Sequence, residues 1–137
     1  MPRFLTTLIT PKTHAMLDPV ATLSIFQRQS QPQRFLADQV IFELGQPAEL
    51  MYGIIAGKVA LLVNNRVVET LERGEVFGVG ALIGAKTRTY TAVAETECQL
   101  AFLDQKRFLF VVQETPIFAL EVMKSYSERL SRLVKLL

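Results

Sequence analysis

The chain has 137 residues, half of them apolar and a fifth charged, with a mean hydropathy of +0.26. That is the size of one domain, and such a chain buries roughly two thirds of its extended surface on folding, so disorder is excluded. Fifteen basic residues against thirteen acidic ones leave +2 with no block of like charges, and the electrostatic footprint of a nucleic-acid binder is missing.

The longest stretch without a charge, residues 76 to 85, contains Gly78, Gly80 and Gly84 and falls well short of the ~20 apolar residues that span a bilayer. Phe4 to Ile9 is apolar behind Arg3, but Thr6 and Thr7 interrupt it and no small-residue cleavage site follows, so a cytoplasmic chain is expected. One cysteine, Cys98, and one histidine, His14, exclude an internal disulfide and a Cys/His zinc site. Cys98 lies in a strand-like run and reads as a buried inert thiol rather than a nucleophile. His14 reads as a solvated loop histidine.

In chain order, Leu17, Val20, Leu23, Ile25 and Phe26 follow roughly helical spacing around Asp18 and predict a short N-terminal helix. From Val40 the pattern becomes brief β-favouring runs: Val40–Phe42, Tyr52–Ile55, Val59–Val63, Val67–Leu71, Thr89–Ala94 and Gln99–Leu103. That pattern predicts an antiparallel sandwich or barrel. Asn64-Asn65 stands between two of these runs, and asparagine tolerates the positive φ of a tight hairpin turn. Asp104 is placed to cap a helix that Pro116 ends. A second helix then carries Ile117, Leu120, Met123, Leu130, Leu133, Val134 and Leu137 near helical spacing, with Lys124, Arg129, Arg132 and Lys135 on the other side and Glu128 able to pair with Arg132. Two readings of this stripe stand: it packs on the sandwich, or the Met123, Leu130, Leu137 row, spaced by sevens with Val134 beside it and Ser127 at a close approach, meets a second copy. No repeat or linker divides the chain. A single domain over 1–137 is expected, with a β-roll over about 38–103 and C-terminal helices over about 104–137.

Four of the seven glycines lie between Arg73 and Thr89. A glycine-rich turn opening a helical turn at Ala81-Leu82-Ile83 exposes backbone N–H groups in one direction, a geometry that holds phosphate, and Arg88 can add a planar fork. The bland alternative is equally available, since glycines crowd sandwich loops for steric reasons.

The order of segments around that loop resembles the cyclic nucleotide-binding domain family, over roughly residues 16 to 137. Val40 to Gly45 looks like the family's first strand and glycine turn, and Glu49 to Val59 like the next hairpin. Gly74-Glu75-Val76-Phe77-Gly78, Ala81-Leu82-Ile83 and Arg88-Thr89 look like its phosphate cassette, and Phe108 and Pro116 like the approach to its long C-terminal helix. The resemblance implies a mainly β fold with flanking helices: a double-stranded β-helix, or jelly-roll-like β-roll, with an N-terminal helix and a long C-terminal one. It further implies that Gly78, Gly80, Ala81, Arg88 and Thr89 hold a ligand phosphate. Where the family has a glutamate for the ribose hydroxyl stands Val79; Tyr90 replaces a small residue and is expected to stack on Arg88 or fill the cavity; and Leu133-Val134 occupies the place of polar base readers.

The resulting expectation is a stand-alone regulatory or sensor module, not an enzyme, that binds cyclic AMP or cyclic GMP weakly or in altered form. The competing reading is a nucleotide-independent scaffold or oligomerisation protein with a degenerate pocket, and a third admits a different small anionic ligand. A homodimer through Met123, Ser127, Leu130, Val134 and Leu137 is expected, with no metal, no membrane contact and an unspecified downstream protein partner. Members that regulate transcription continue into a helix-turn-helix; the chain ends at Leu137, and direct DNA binding is not expected.

Overall fold

The computed structural model describes residues 18–26 and 31–137; His14, Leu17 and the Phe4 to Ile9 run lie outside them. Helix α1 (Pro19–Phe26) precedes strands β1 (Gln33–Phe35), β2 (Val40–Phe42), β3 (Met51–Ala56), β4 (Val59–Val63), β5 (Arg66–Leu71) and β6 (Val76–Phe77). A 3₁₀ turn (Val79–Leu82), β7 (Thr91–Ala94), β8 (Cys98–Leu103), α2 (Gln105–Glu114) and α3 (Ile117–Val134) complete the chain. The strands form two antiparallel sheets of four, ordered β1-β8-β3-β6 and β2-β7-β4-β5. This is a β-roll with flanking helices. No described helix is long and apolar enough to cross a membrane.

Beyond shifts of one residue at the ends of β3, β5 and β8, the structure departs from the sequence reading in three places: it adds β1, whose polar Gln-Arg pair hides it from a hydrophobic scan; it adds β6, only two residues long; and Thr89 and Tyr90 precede β7 rather than opening it. Asn64 and Asn65 adopt φ +53 and +62 and close the β4–β5 hairpin, Val63 facing Arg66.

Alternation along the strands builds two cores. Tyr52, Ile54, Phe77, Cys98 and Leu100 point between the sheets with Phe42, Val59, Leu61 and Leu71, whereas Met51, Val76, Ala101 and Leu103 face Val20, Leu23, Val111, Phe118 and Val122 of the helices. Burial on both faces explains why β3 and β8 read as continuous apolar runs. Helix α1 comes close because β3 carries Gly53 there, where a Cβ would sit 2.8 Å from Leu23 Cδ1. The Cys98 thiol is buried, donates to carbonyl oxygens of Lys58 and Thr96, and burial raises its pKa.

Helix α2 is capped by Asp104, which accepts from Arg107 N at 2.8 Å. Helix α3 does not pack through the predicted apolar stripe. Its buried residues are Phe118, Glu121, Val122, Ser125 and Arg129, while Leu120, Met123, Leu130, Val134 and Leu137 are exposed. The helix turns this mixed face inward because buried backbone groups of β6 need polar partners there: Ser125 Oγ accepts from Val76 N and Arg129 donates to Val76 O. Arg129 is therefore not on a solvated face, and Glu128 pairs with Lys124 at 2.8 Å rather than with Arg132, which reaches Glu75 at 2.6 Å and Glu69 at 3.4 Å.

Helix α1 is tied to α3 by Thr22 Oγ1, which donates to Glu121 Oε1 at 2.8 Å. Glu121 Oε2 is buried without a partner, and burial holds the carboxyl pKa above its ordinary value, against the Thr22 bond. A carboxyl with a raised folded-state pKa loses stabilisation as pH climbs above the unfolded value of about 4.3. Glu121→Gln is therefore expected to raise the thermal midpoint near neutral pH and to leave it unchanged at pH 4. Calorimetry of both proteins across that range checks it.

Candidate functional site: the cassette and its neighbouring cleft

After β6 the chain turns at Gly78, whose φ of +79 belongs to the region glycine occupies without strain. A Cβ there would lie 2.9 Å from Arg88 Nη1 and 3.1 Å from Leu50 O, so glycine is needed for space as well as for conformation. The 3₁₀ turn follows, with Ala81 N donating to Gly78 O at 3.2 Å. The chain then returns to Arg88, whose main chain is fixed on both sides: Arg88 N donates to Gln46 O and Gly45 N to Arg88 O, each at 2.8 Å.

That pairing sends the Arg88 side chain inward, where it is 7% exposed. Its guanidinium donates to Leu50 O at 2.7 Å and to Gly78 O at 3.3 Å. It lies 4.0 Å from the centre of the Phe42 ring, a cation–π contact. Burial lowers its pKa, partly offset by Tyr52, Tyr90 and Tyr126, and its Nε has no partner.

Tyr90 does not stack on Arg88; Phe42 does. Because Tyr90 precedes β7, its ring instead tilts against Phe42 at 5.5 Å between centroids. Its hydroxyl accepts from Gly78 N at 2.9 Å. Burial, above all, and the neighbouring Tyr126 push the Tyr90 pKa up to about 12, so the phenol stays neutral. From α3, the Tyr126 hydroxyl accepts from Val79 N at 3.2 Å. Two amides of the cassette are thus occupied by tyrosine oxygens.

Gly78, Gly80, Ala81, Arg88, Thr89 and Tyr90 line one cavity of about 30 Å³, room for about one water molecule. Val79 is not in its lining; the side chain packs against the helical core. Beside it, a largely apolar cleft of about 580 Å³ runs between β4, β5 and α3. Leu61, Val63, Leu130 and Leu133 supply its walls, Glu69, Tyr126, Ser127 and Arg129 its polar groups, and Thr89 and Tyr90 border both spaces. Val134 lies outside this lining and is exposed, as are Met123 and Leu137.

Phe42, Tyr126 and Arg129 were not singled out as site residues from the sequence. Phe42 is an ordinary strand aromatic there. The signal that exists for Tyr126 and Arg129 is their spacing from Phe118 and Val122, which puts them on the inner side of α3, but apolar periodicity does not register polar side chains.

A β-roll carrying a glycine turn, an inward arginine and a long helix against the turn is the architecture of a class of regulatory domain. The family model for the cyclic nucleotide-binding domain matches residues 32–115. The chain belongs to the cyclic nucleotide-binding domain family. Among curated proteins it is similar to the cAMP-activated global transcriptional regulator CRP of Pasteurella multocida, 25% identical over 87% of this chain and 59% of that protein. It is also similar to the cyclic AMP receptor protein of Thermus thermophilus, 29% identical over 79% of this chain and 50% of that one. The chain thus spans between half and three fifths of the length of these relatives. In fold it matches the c-di-GMP responsive global regulator CLP of Xanthomonas campestris, with a TM-score of 0.73, 24% identity, and coverage of 85% of this chain and 61% of that one.

Replacing Gly78 tests the packing of the cassette. Gly78→Ala is expected to cost about 1–3 kcal/mol through strain at positive φ and displacement of Arg88. Urea unfolding of the variant and the unmodified protein measures it.

Proposed function

We propose that this chain is a non-enzymatic, cytoplasmic regulatory domain whose cassette receives the phosphate of a cyclic nucleotide. Arg88 and the amides of Gly78 and Gly80 act as donors, and Thr89 sits at the rim. The observation that carries the reading is the inward Arg88, held at the glycine turn and facing the same cavity as Gly78, Gly80 and Ala81. Cyclic AMP and cyclic GMP bind more weakly than in a site with a ribose carboxylate, because Val79 accepts no hydrogen bond. A lost charge-assisted bond costs about 1.5–3 kcal/mol, roughly 10- to 150-fold in affinity. Entry also requires the Tyr90 hydroxyl to leave Gly78 N. The signal passes to a protein partner, not to DNA, in keeping with the even charge balance.

A second reading, a scaffold whose site has ceased to bind nucleotides, is favoured by the same tyrosine hydroxyls, which satisfy the Gly78 and Val79 amides without any ligand. Thermal unfolding with millimolar cyclic AMP or cyclic GMP separates the two. A ligand at a hundred times its dissociation constant adds about 2.7 kcal/mol, several degrees for a domain of this size. The binding reading expects a raised midpoint that is lost in Arg88→Gln. An unchanged midpoint with both nucleotides favours the scaffold.

The reading includes a homodimer through α3. Met123 is 64% exposed and Leu130 62% exposed, in one row with Leu137 and with Ser127 and Val134 beside it. Two copies related by a twofold axis bury the same row on both sides. Leu130→Glu is expected to yield monomers with an intact roll, read by light scattering and circular dichroism; an unmodified protein that is monomeric at high concentration overturns the dimer.

A further inference from the structure

Glu121 is a buried carboxyl that neither the cassette nor the cleft uses. It is 1% exposed, the one acidic side chain buried among the described residues, and the described ion pairs leave it out. Its Oε1 accepts from Thr22 Oγ1 at 2.8 Å, whereas Oε2 has no partner. The charged group that α1 brings to it is Asp18, whose Oδ1 accepts from Val20 N at 3.1 Å and Ala21 N at 3.2 Å and is thereby fixed at the start of the helix. Met51, Ala101, Leu103 and Val111 face the same core from β3, β8 and α2, and none of them titrates. On α3 itself Lys124 pairs with Glu128 at 2.8 Å, Tyr126 meets Val79 N and Arg129 meets Val76 O, so no cation compensates Glu121.

A buried carboxylate with one oxygen unpaired is costly, and a like charge beside it adds to the cost. Burial above all, and the Asp18 charge, favour the neutral carboxyl; the Thr22 hydroxyl and the Asp18 backbone act the other way without prevailing. Protonation removes the cost while Oε1 still accepts from Thr22. The other relief is to move α1 away, which opens Glu121 to water and takes Asp18 with it. That helix is eight residues long, too short to persist by itself in water, and Val20 and Leu23 seat it beside Gly53 and Val76. Its release gives up those two side chains and the Thr22 bond while both four-stranded sheets keep their ladders, so it is a local opening that comes before global unfolding.

We propose that Glu121 is a proton-operated clamp on α1: protonated, it lets the helix seat on β3 and α3, and ionised, it loosens that seat while the roll stays folded. The inference goes beyond the ligand reading and does not depend on it. The docked state holds the carboxyl pKa above the value it has once α1 is released. Docking is therefore strongest below about pH 4.3, the ordinary glutamate value, and weakens as pH rises through the docked-state value.

Hydrogen exchange of the full chain, read by mass spectrometry at pH 5 and pH 8 and corrected for the intrinsic pH dependence of amide exchange, tests the clamp. Protection of the α1 amides from Thr22 to Phe26 is expected to fall several-fold from pH 5 to pH 8, while protection in β4 and β7 stays constant. Glu121→Gln is expected to hold α1 at its pH 5 protection at both values. Thr22→Val deprives Oε1 of its hydroxyl donor and is expected to steepen the fall. Protection of α1 that does not change with pH in the unmodified protein, a fall that persists in Glu121→Gln, or a fall shared by β4 and β7 would overturn the clamp. If the glutamine variant does not fold, a fall in Thr22→Val no steeper than in the unmodified protein overturns it.

Discussion

Four residues of backbone, Val76 to Val79, hold the molecule's parts together. Strand β6 is too short to satisfy its own polar groups in a ladder, and buried amides and carbonyls must find partners. They come from two directions. Helix α3 supplies Ser125 to Val76 N, Arg129 to Val76 O and Tyr126 to Val79 N; the chain leaving the cassette supplies Arg88 to Gly78 O and Tyr90 to Gly78 N. The sheet, the cassette and the long helix therefore share one small set of hydrogen bonds, and none of the three can shift without leaving a buried group of this segment unpaired.

On the proposed reading, that arrangement gives a ligand in the cassette a contact with the shared segment. An anion that takes Gly78 N on that reading competes with the Tyr90 hydroxyl. Helix α3 touches the same turn through the Tyr126 hydroxyl on the adjacent Val79 N. Helix α3 also carries the exposed Leu120, Met123, Leu130 and Val134 on its outer side, so the helix that touches the cassette is the one with an exposed apolar surface.

Charge placement separates Arg132, which is ion-paired, from Arg88 and Arg129, which are bonded to carbonyl oxygens. Arg132 bridges α3 to Glu69 and Glu75. Burial works against its charge, but hydrogen bonding and attraction from Glu75, then Glu69, outweigh that and raise its pKa. Arg88 and Arg129 are matched instead by carbonyl oxygens and aromatic faces. Neutral acceptors orient a guanidinium without cancelling its charge.

The sequence by itself determined most of the strands as short β-favouring runs, the Asn64-Asn65 hairpin, the Asp104 cap, the helix after Pro116, and the family, through the ordered glycines and Arg88. These signals are local: propensity, turn chemistry and spacing act within a few residues. Only the tertiary structure decided that Phe42 rather than Tyr90 lies on Arg88, that Tyr90 and Tyr126 occupy the Gly78 and Val79 amides, and that α3 turns Ser125 and Arg129 inward while its apolar row faces out. The reason is that hydrogen-bond demand at β6 outweighed the burial of an apolar stripe. That demand arises only when the backbone of one segment is enclosed by residues 10 to 53 positions away, a separation at which no sequence period carries information.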